Sequence, residues 1–337
     1  MSIFNQYSRE DAYPFMTLKS YAKKVFTQNE QTLLDDVLSE IKTFMNKFPD
    51  FPKKKGLIQT AYLWSKNTIP IDLEHIETWK AFTVIHTGKL IAQWIVDDLF
   101  DKKCKPGDVS DDVMDYISKQ FSAEHGDPLE LPPHLKEIEV ATEILRTVSS
   151  NFMTLGGCPD LWKLCVSDFR KWVFSYQDKI NFKAAPPSDL PTYYANRWRS
   201  VGISGCLLHS LYLKSCHYDV RVATDLLINA NITEMEMTEA GNNIYDLWFL
   251  SGITCADYND IVSQKDDIKF GVPSLCNLKD QLEDGCVFKQ LQKNVDKLLS
   301  YSDRFASLTE VIMEVVIGNA FFHMEAEHRY DTKKYIK

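Results

Sequence analysis

The sequence predicts an all-α protein, and three observations point to that class. Apolar residues recur at i, i+3, i+4 and i+7 through much of the 337-residue chain, the repeat of a helix that buries one face. Few segments alternate apolar and polar residues with the period of two that a half-buried strand requires. Glycine and proline are scarce, 13 of each, and no proline falls inside the periodic runs.

The periodic runs, in order, are Leu33 to Phe44, Trp79 to Phe100, Asp160 to Tyr176, Ala240 to Ile261 and Leu308 to Phe322. Loops are expected at Phe48-Pro49-Asp50-Phe51-Pro52, Lys105-Pro106-Gly107-Asp108, Gly126 to Pro133 and Ala185-Pro186-Pro187-Ser188. No repeat, low-complexity tract or linker divides the chain. The expectation is one domain over residues 1–337, built from about ten or more helices.

Composition narrows the function classes. The chain is 45% hydrophobic and 25% charged, ordinary for a globular protein. Its net charge of −9 argues against nucleic-acid binding, which needs a basic face, and Lys53-Lys54-Lys55 is short enough to be a solvated loop. No uncharged apolar stretch reaches the roughly 18 residues of a membrane span, and residues Met1 to Asp11 lack the apolar run of a secretory signal. The eight cysteines form no CxxC and no zinc-spaced cluster, so a reduced, cytoplasmic protein with free thiols is expected, as a monomer or homodimer. Aromatic residues make up 12% of the chain, compatible with a large core or with an aromatic-lined cavity.

Two polar clusters interrupt apolar helices. Leu90 to Val96 runs into Asp97-Asp98-Leu99-Phe100-Asp101, and a helix would place Trp94, Asp97, Asp98 and Asp101 on one face. Carboxylates so close repel one another, and hard divalent cations would relieve the repulsion. A solvated helix end is the alternative, although carboxylates near a helix C-terminus oppose the macrodipole. Asp111-Asp112-Val113-Met114-Asp115 has the same spelling, but Ser110 before it is a natural N-cap, so that cluster reads as a solvated helix start. The second polar cluster follows Leu247 to Ile253. There Asn259, Ser263 and Asp267 stand at i, i+4 and i+8, a line of oxygen donors suited to Mg²⁺. A polar helix edge is the alternative reading.

These motifs together resemble the class I terpene synthases of microbial, amoebal and octocoral type. Asp97-Asp98-Leu99-Phe100-Asp101 is similar to the family's aspartate-rich motif, and Asn259, Ser263 and Asp267 are similar to its metal triad. Pro187 to Gly202 resembles the segment in which an arginine senses diphosphate, with Arg197 as sensor, Ser200 as linker and Val201 as effector. His328-Arg329-Tyr330 resembles the C-terminal arginine–tyrosine pair, and Phe322 takes a place often held by tryptophan. The resemblance covers about residues 75 to 330 by the order of the motifs. Three departures stand out. Asp267 replaces the commoner glutamate. Asp266 stands where a diphosphate-binding lysine is usual, with Lys265 one place earlier. Arg197 and Asn259 are further apart than in the family, which an insertion within Leu213 to Thr238 would accommodate; Arg199 is the alternative sensor.

The resemblance implies a single-domain isoprenoid synthase bundle around a central cavity, and a lyase that ionises farnesyl or geranylgeranyl diphosphate and cyclises the cation. It implies three Mg²⁺ ions, for which Mn²⁺ could substitute. Asp97 and Asp101 would hold two ions, and Asn259, Ser263 and Asp267 the third. Asp98 would pair with Arg197 or Arg329. Arg197, Lys265, Arg329 and Tyr330 would contact the diphosphate, and Trp94 would face the cation, with Phe82, Trp248, Phe249 and Phe322 as weaker candidates. His86 and His209, on apolar faces, read as hydrogen-bonded core histidines. The rival enzyme is a chain-elongating prenyl diphosphate synthase, which would carry a second DDxxD motif where Asn259-Asp260-Ile261-Val262-Ser263 stands. A non-catalytic helical protein that kept the fold is the reading from another class.

Overall fold

The computed structural model describes residues 26–49, 51, 56–122, 129–233, 243–302 and 306–325. Arg329 and Tyr330 lie outside the described residues. Twelve α-helices follow one another, with three short 3₁₀ turns and no strand among the described residues. They are α1 (Gln28–Met45), α2 (Leu57–Thr68), α3 (Ile76–Lys103), α4 (Asp111–Gln120), α5 (Glu137–Thr154) and α6 (Pro159–Asn181), then α7 (Leu190–Ser200), α8 (Ile203–Ser215), α9 (Arg221–Asn229), α10 (Asn243–Phe270), α11 (Val287–Ser302) and α12 (Ala306–Glu325).

Local sequence explains where several helices begin. Thr27 opens α1 with a capping box, its hydroxyl accepting from the Glu30 amide while the Glu30 carboxylate accepts from the Thr27 amide. Ser110 caps α4, accepting from the Val113 amide at 3.4 Å, and Asp111 and Asp112 stand exposed in its first turn. Asp189 caps α7 through the Thr192 amide at 2.7 Å.

Packing places two long helices at the centre. α3 is buried on nearly every side, from Trp79 and Phe82 through Ile91, Ile95 and Phe100, as expected of a helix with helices all round it. It packs along α5, α1 and α2. α10 packs along α11, α12 and α7. Each large apolar side chain buried this way contributes about 1.5–3 kcal/mol relative to exposure, so packing rather than intrinsic propensity holds these helices. α12 crosses α2 at a point where only glycine fits: a Cβ on Gly318 would lie 2.2 Å from the Asn67 carbonyl oxygen. All eight cysteines are free thiols, and among the described residues no helix is long and apolar enough to cross a membrane.

Candidate active site

Helices α2, α3, α6, α10 and α12 and the α7–α8 junction enclose a cavity of about 290 Å³. α3 contributes Gln93, Trp94, Asp97, Asp98, Asp101 and Lys102; α10 contributes Asn259, Ser263, Asp266 and Asp267. Both polar clusters singled out in the sequence therefore open on one space, although 158 or more residues separate them in the chain.

On the α3 wall the carboxylates have cationic partners. Lys179 of α6 donates to Asp97 Oδ1 at 3.2 Å and to Asp101 Oδ2 at 2.8 Å, with 7% of its side chain exposed. Burial opposes its charge, but Asp101 and then Asp97 offset this, and its pKa is raised. The Tyr176 hydroxyl also donates to Asp97 Oδ1. Asp98 pairs with Lys102 one turn along at 2.9 Å; of its two expected partners, Arg197 is on Asp260 instead and Arg329 lies outside the described residues. Lys183 donates to the carbonyls of Phe100, Asp101 and Cys104 at 2.6, 2.8 and 2.9 Å, so carbonyls at the end of α3 meet an ammonium despite the nearby acids.

The α10 wall is built differently. Arg197 of α7 presents its guanidinium edge to Asp260, with Nε at 3.1 Å and Nη2 at 2.7 Å from Oδ1, and Nη2 also donates to Asn259 Oδ1 at 2.7 Å. The other Asp260 oxygen accepts from the Tyr193 hydroxyl and from the Leu275 amide, the latter at 2.7 Å. Asp260 is thus fully buried and committed to holding Arg197. Asp257 beneath it accepts from Tyr194 at 3.1 Å and Asn294 at 2.6 Å. Ser263 donates to Asp267 Oδ2 at 2.7 Å. Burial, then repulsion from Asp260, pushes the Asp267 carboxyl up to about 7.

Arg197 lines the cavity, whereas Arg199, two residues round the helix, stacks over Trp198 and reaches the Thr233 carbonyl instead. Val201 lies where α7 ends and α8 begins, and Gly202, at φ 76°, makes the break. A Cβ there would meet Trp172 Nε1 at 3.2 Å, and that same nitrogen donates to the Ser200 carbonyl at 3.2 Å. Lys265 is exposed and does not line the cavity; it lies two residues, about 200° of helical rotation, from both Ser263 and Asp267. Asp266 lines the cavity in its stead.

Among the aromatic candidates, Trp94 and Phe322 both line the cavity and stack with centroids 5.9 Å apart. Phe82, Trp248 and Phe249 are packed elsewhere: Phe82 against His86 and Phe152, Trp248 with its Nε1 on Ser204, Phe249 beside Trp198. Trp172, Tyr176 and Lys179 were not expected in the site. They recur at i, i+4 and i+7 on α6, the same signal that core residues give. His86 and His209 are core residues, held neutral chiefly by burial, with pKa values well below the usual 6.5. His86 lies 3.4 Å from the Ser65 hydroxyl, but neither ring nitrogen of His209 has a hydrogen-bond partner, contrary to expectation.

The donor set suits a hard divalent cation. The cavity's candidate ligands are carboxylate, amide and hydroxyl oxygens, and Asp101 Oδ1 is buried without a partner. Among the described residues no three Asp, Glu, His or Cys side chains group into a ready metal cage. That division suits Mg²⁺, which takes one or two carboxylates and completes its octahedron with water and substrate phosphate.

No protein-family profile and no curated protein sequence matches the chain. Solved structures do. The 2-methylisoborneol synthase of Streptomyces coelicolor A3(2), in complex with Mg²⁺ and 2-fluoroneryl diphosphate, superposes with a TM-score of 0.69 at 12% identity, over 89% of this chain and 93% of that one. The linalool/nerolidol synthase of Streptomyces clavuligerus, in complex with 2-fluorogeranyl diphosphate, gives 0.59 at 11% identity, over 88% and 95%. The chain has the all-α fold of the class I terpene synthases.

Proposed function

We propose that this chain is a Mg²⁺-dependent terpene cyclase, a single-domain lyase that ionises farnesyl or geranylgeranyl diphosphate and closes the carbocation into rings. The observation that carries the reading is the convergence of Asp97, Asp101, Asn259, Ser263, Asp267 and Arg197 on one cavity that also holds the Trp94–Phe322 stack. The similar Streptomyces structures hold Mg²⁺ or prenyl diphosphate analogues in the same fold, which supports it.

Asp97 and Asp101 would hold metal from α3, and Asn259, Ser263 and Asp267 from α10, with three Mg²⁺ ions in all and Mn²⁺ as a substitute. The ions would supply Lewis-acid neutralisation of the leaving diphosphate. Arg197, oriented by Asp260 through Nε and Nη2 and holding Asn259 through its other Nη2 hydrogen, would turn Nη1 and its permanent charge to the diphosphate. Val201, at the helix break, would offer its backbone carbonyl to the carbon that ionises. Trp94 lies one turn before Asp97 on α3, and its ring faces the hydrocarbon; a desolvated contact of this kind stabilises a cation by about 2 kcal/mol. Trp172, Leu90 and Ile203 complete a lining that excludes water from the cation.

A chain-elongating prenyl diphosphate synthase fits less well. Its second carboxylate motif would need Asp260 free to bind metal, and Asp260 is consumed by Arg197, Tyr193 and Leu275. The test is to incubate the protein with geranyl, farnesyl and geranylgeranyl diphosphate, measure diphosphate release, and identify products by mass spectrometry. Cyclic hydrocarbons or alcohols that need Mg²⁺ and vanish with EDTA are expected. Full turnover in excess EDTA, or elongated diphosphates when isopentenyl diphosphate is supplied as well, would overturn the proposal.

A further inference from the structure

We propose that Lys179 is the resident counter-cation of the Asp97–Asp101 pair, that a divalent ion must displace it, and that the displaced ammonium passes to the substrate diphosphate, so that metal and diphosphate load together. This rests on the function proposed above and concerns a residue that no sequence motif marks.

Lys179 stands on two of the carboxylate oxygens that a shared metal ion would use. Its Nζ donates to Asp97 Oδ1 and to Asp101 Oδ2, bridging the two side chains expected to share metal. Mg²⁺ binds carboxylate oxygen at about 2.1 Å. An ion on those same oxygens would stand against the ammonium, cation to cation, in a buried setting. The lysine can yield because its charge sits on a flexible four-carbon stem. Lys183, one turn on, cannot do the same, since the carbonyls of Phe100, Asp101 and Cys104 hold it.

The destination follows from the other cations on the cavity wall. Among the described residues these are Lys102, Lys179 and Arg197. Lys102 has Asp98, and Arg197 has Asp260, neither of which is proposed as a metal ligand. Lys179 is the one whose two carboxylate partners would both be taken by metal. A buried ammonium stripped of its counter-charge is strongly unfavourable, and diphosphate is the anion that arrives. Position 266, where an aspartate lines the cavity, offers no cation for it. Because coupling between two ligands is reciprocal, diphosphate then tightens metal binding as much as metal tightens diphosphate binding.

The experiment measures Mn²⁺ binding by electron paramagnetic resonance, without turnover, on the wild-type chain, Lys179→Met and Lys179→Arg, each checked for helicity by circular dichroism. Without diphosphate, Lys179→Met is expected to bind Mn²⁺ about tenfold tighter, the effect of removing one charge-assisted competitor, while Lys179→Arg stays near wild type. In saturating Mg²⁺, inorganic diphosphate should bind Lys179→Met about tenfold more weakly by calorimetry. Lys179→Met should also melt lower in EDTA and recover with Mn²⁺, a recovery that a purely structural lysine would not give. If Lys179→Met fails to fold, Lys179→Gln takes the same measurements. Wild-type binding of Mn²⁺ with no gain in the neutral variant overturns the role of Lys179. Absence of Mn²⁺ binding in every chain, with and without diphosphate, overturns the metal-dependent function as well.

Discussion

On α3, Asp97 and Asp101 share a buried ammonium, and Asp98 has Lys102 one turn away. On α10, Asp267 accepts, among the described residues, from the Ser263 hydroxyl, and the guanidinium of Arg197 is held on Asp260. The first wall is neutralised by side chains that can move; the second places its cation on a fixed anchor and leaves the Asp267 carboxyl partly protonated at neutral pH. The difference teaches a division of labour. A lysine-paired carboxylate is stable without metal but must exchange one cation for another. A carboxylate pushed up to about 7 gains most from a metal at and above neutral pH, and Arg197, on the proposed reading, would be held ready for phosphate by Asp260.

The largest expected effect breaks the α3 wall. Asp97→Asn should lower kcat/KM for prenyl diphosphate by about a hundredfold or more, the scale of losing one electrostatic stabiliser of the leaving charge. Asp112→Asn, on the exposed first turn of α4, should change it by less than about twofold, in keeping with the small effects of surface substitutions. Steady-state kinetics on both variants decides; comparable losses would move the site to the other aspartate cluster.

Next in size is the anchored arginine. Arg197→Lys cannot reproduce the contacts of two nitrogens to Asp260 and one to Asn259, and should lower kcat/KM about tenfold or more with helicity unchanged. Arg199→Lys, whose partner is the Thr233 carbonyl, should cost less. The reverse ranking would place the diphosphate sensor at Arg199 and separate it from the α10 wall.

The smallest effect is thermodynamic. The folded-state pKa of Asp267 is raised above its unfolded value, so its contribution to stability is fully present below about pH 4 and is lost as pH rises through about 7. In EDTA, Asp267→Asn should therefore raise the melting temperature at pH 8 by roughly 2–4 °C and by less at pH 5. Mg²⁺ should stabilise the wild-type chain more at pH 8 than at pH 5, and the Asn variant much less. A melting temperature at pH 8 unmoved by both the substitution and the metal would show that Asp267 is solvated rather than poised for a cation.

Much of this architecture was legible in the sequence because helical periodicity is local. The runs at Leu33, Trp79, Asp160 and Leu308 each fall inside a helix, and α10 extends past the apolar run to carry its polar stripe. That Asp97 and Asn259 share a cavity was expected only through the order of motifs, since periodicity says which face of a helix is polar and nothing about which helix it meets. What the sequence did not reveal are the partners. Lys179 and Tyr176 look like the end of an ordinary amphipathic helix until α6 is packed against α3. Asp260 reads as another member of an acidic motif until Tyr193, Arg197 and Leu275 converge on it. Phe82 and Trp248 are as aromatic as Trp94, and only packing separates a core ring from a cavity ring.

The most direct measurement is anomalous diffraction at the manganese edge from crystals grown with Mn²⁺ and inorganic diphosphate. The two-wall account expects manganese peaks within bonding distance of Asp97 and Asp101 on one side and of Asn259, Ser263 and Asp267 on the other, with diphosphate between them in contact with Arg197. Manganese at Asp111 and Asp112, or diphosphate bound with neither wall occupied, would contradict it.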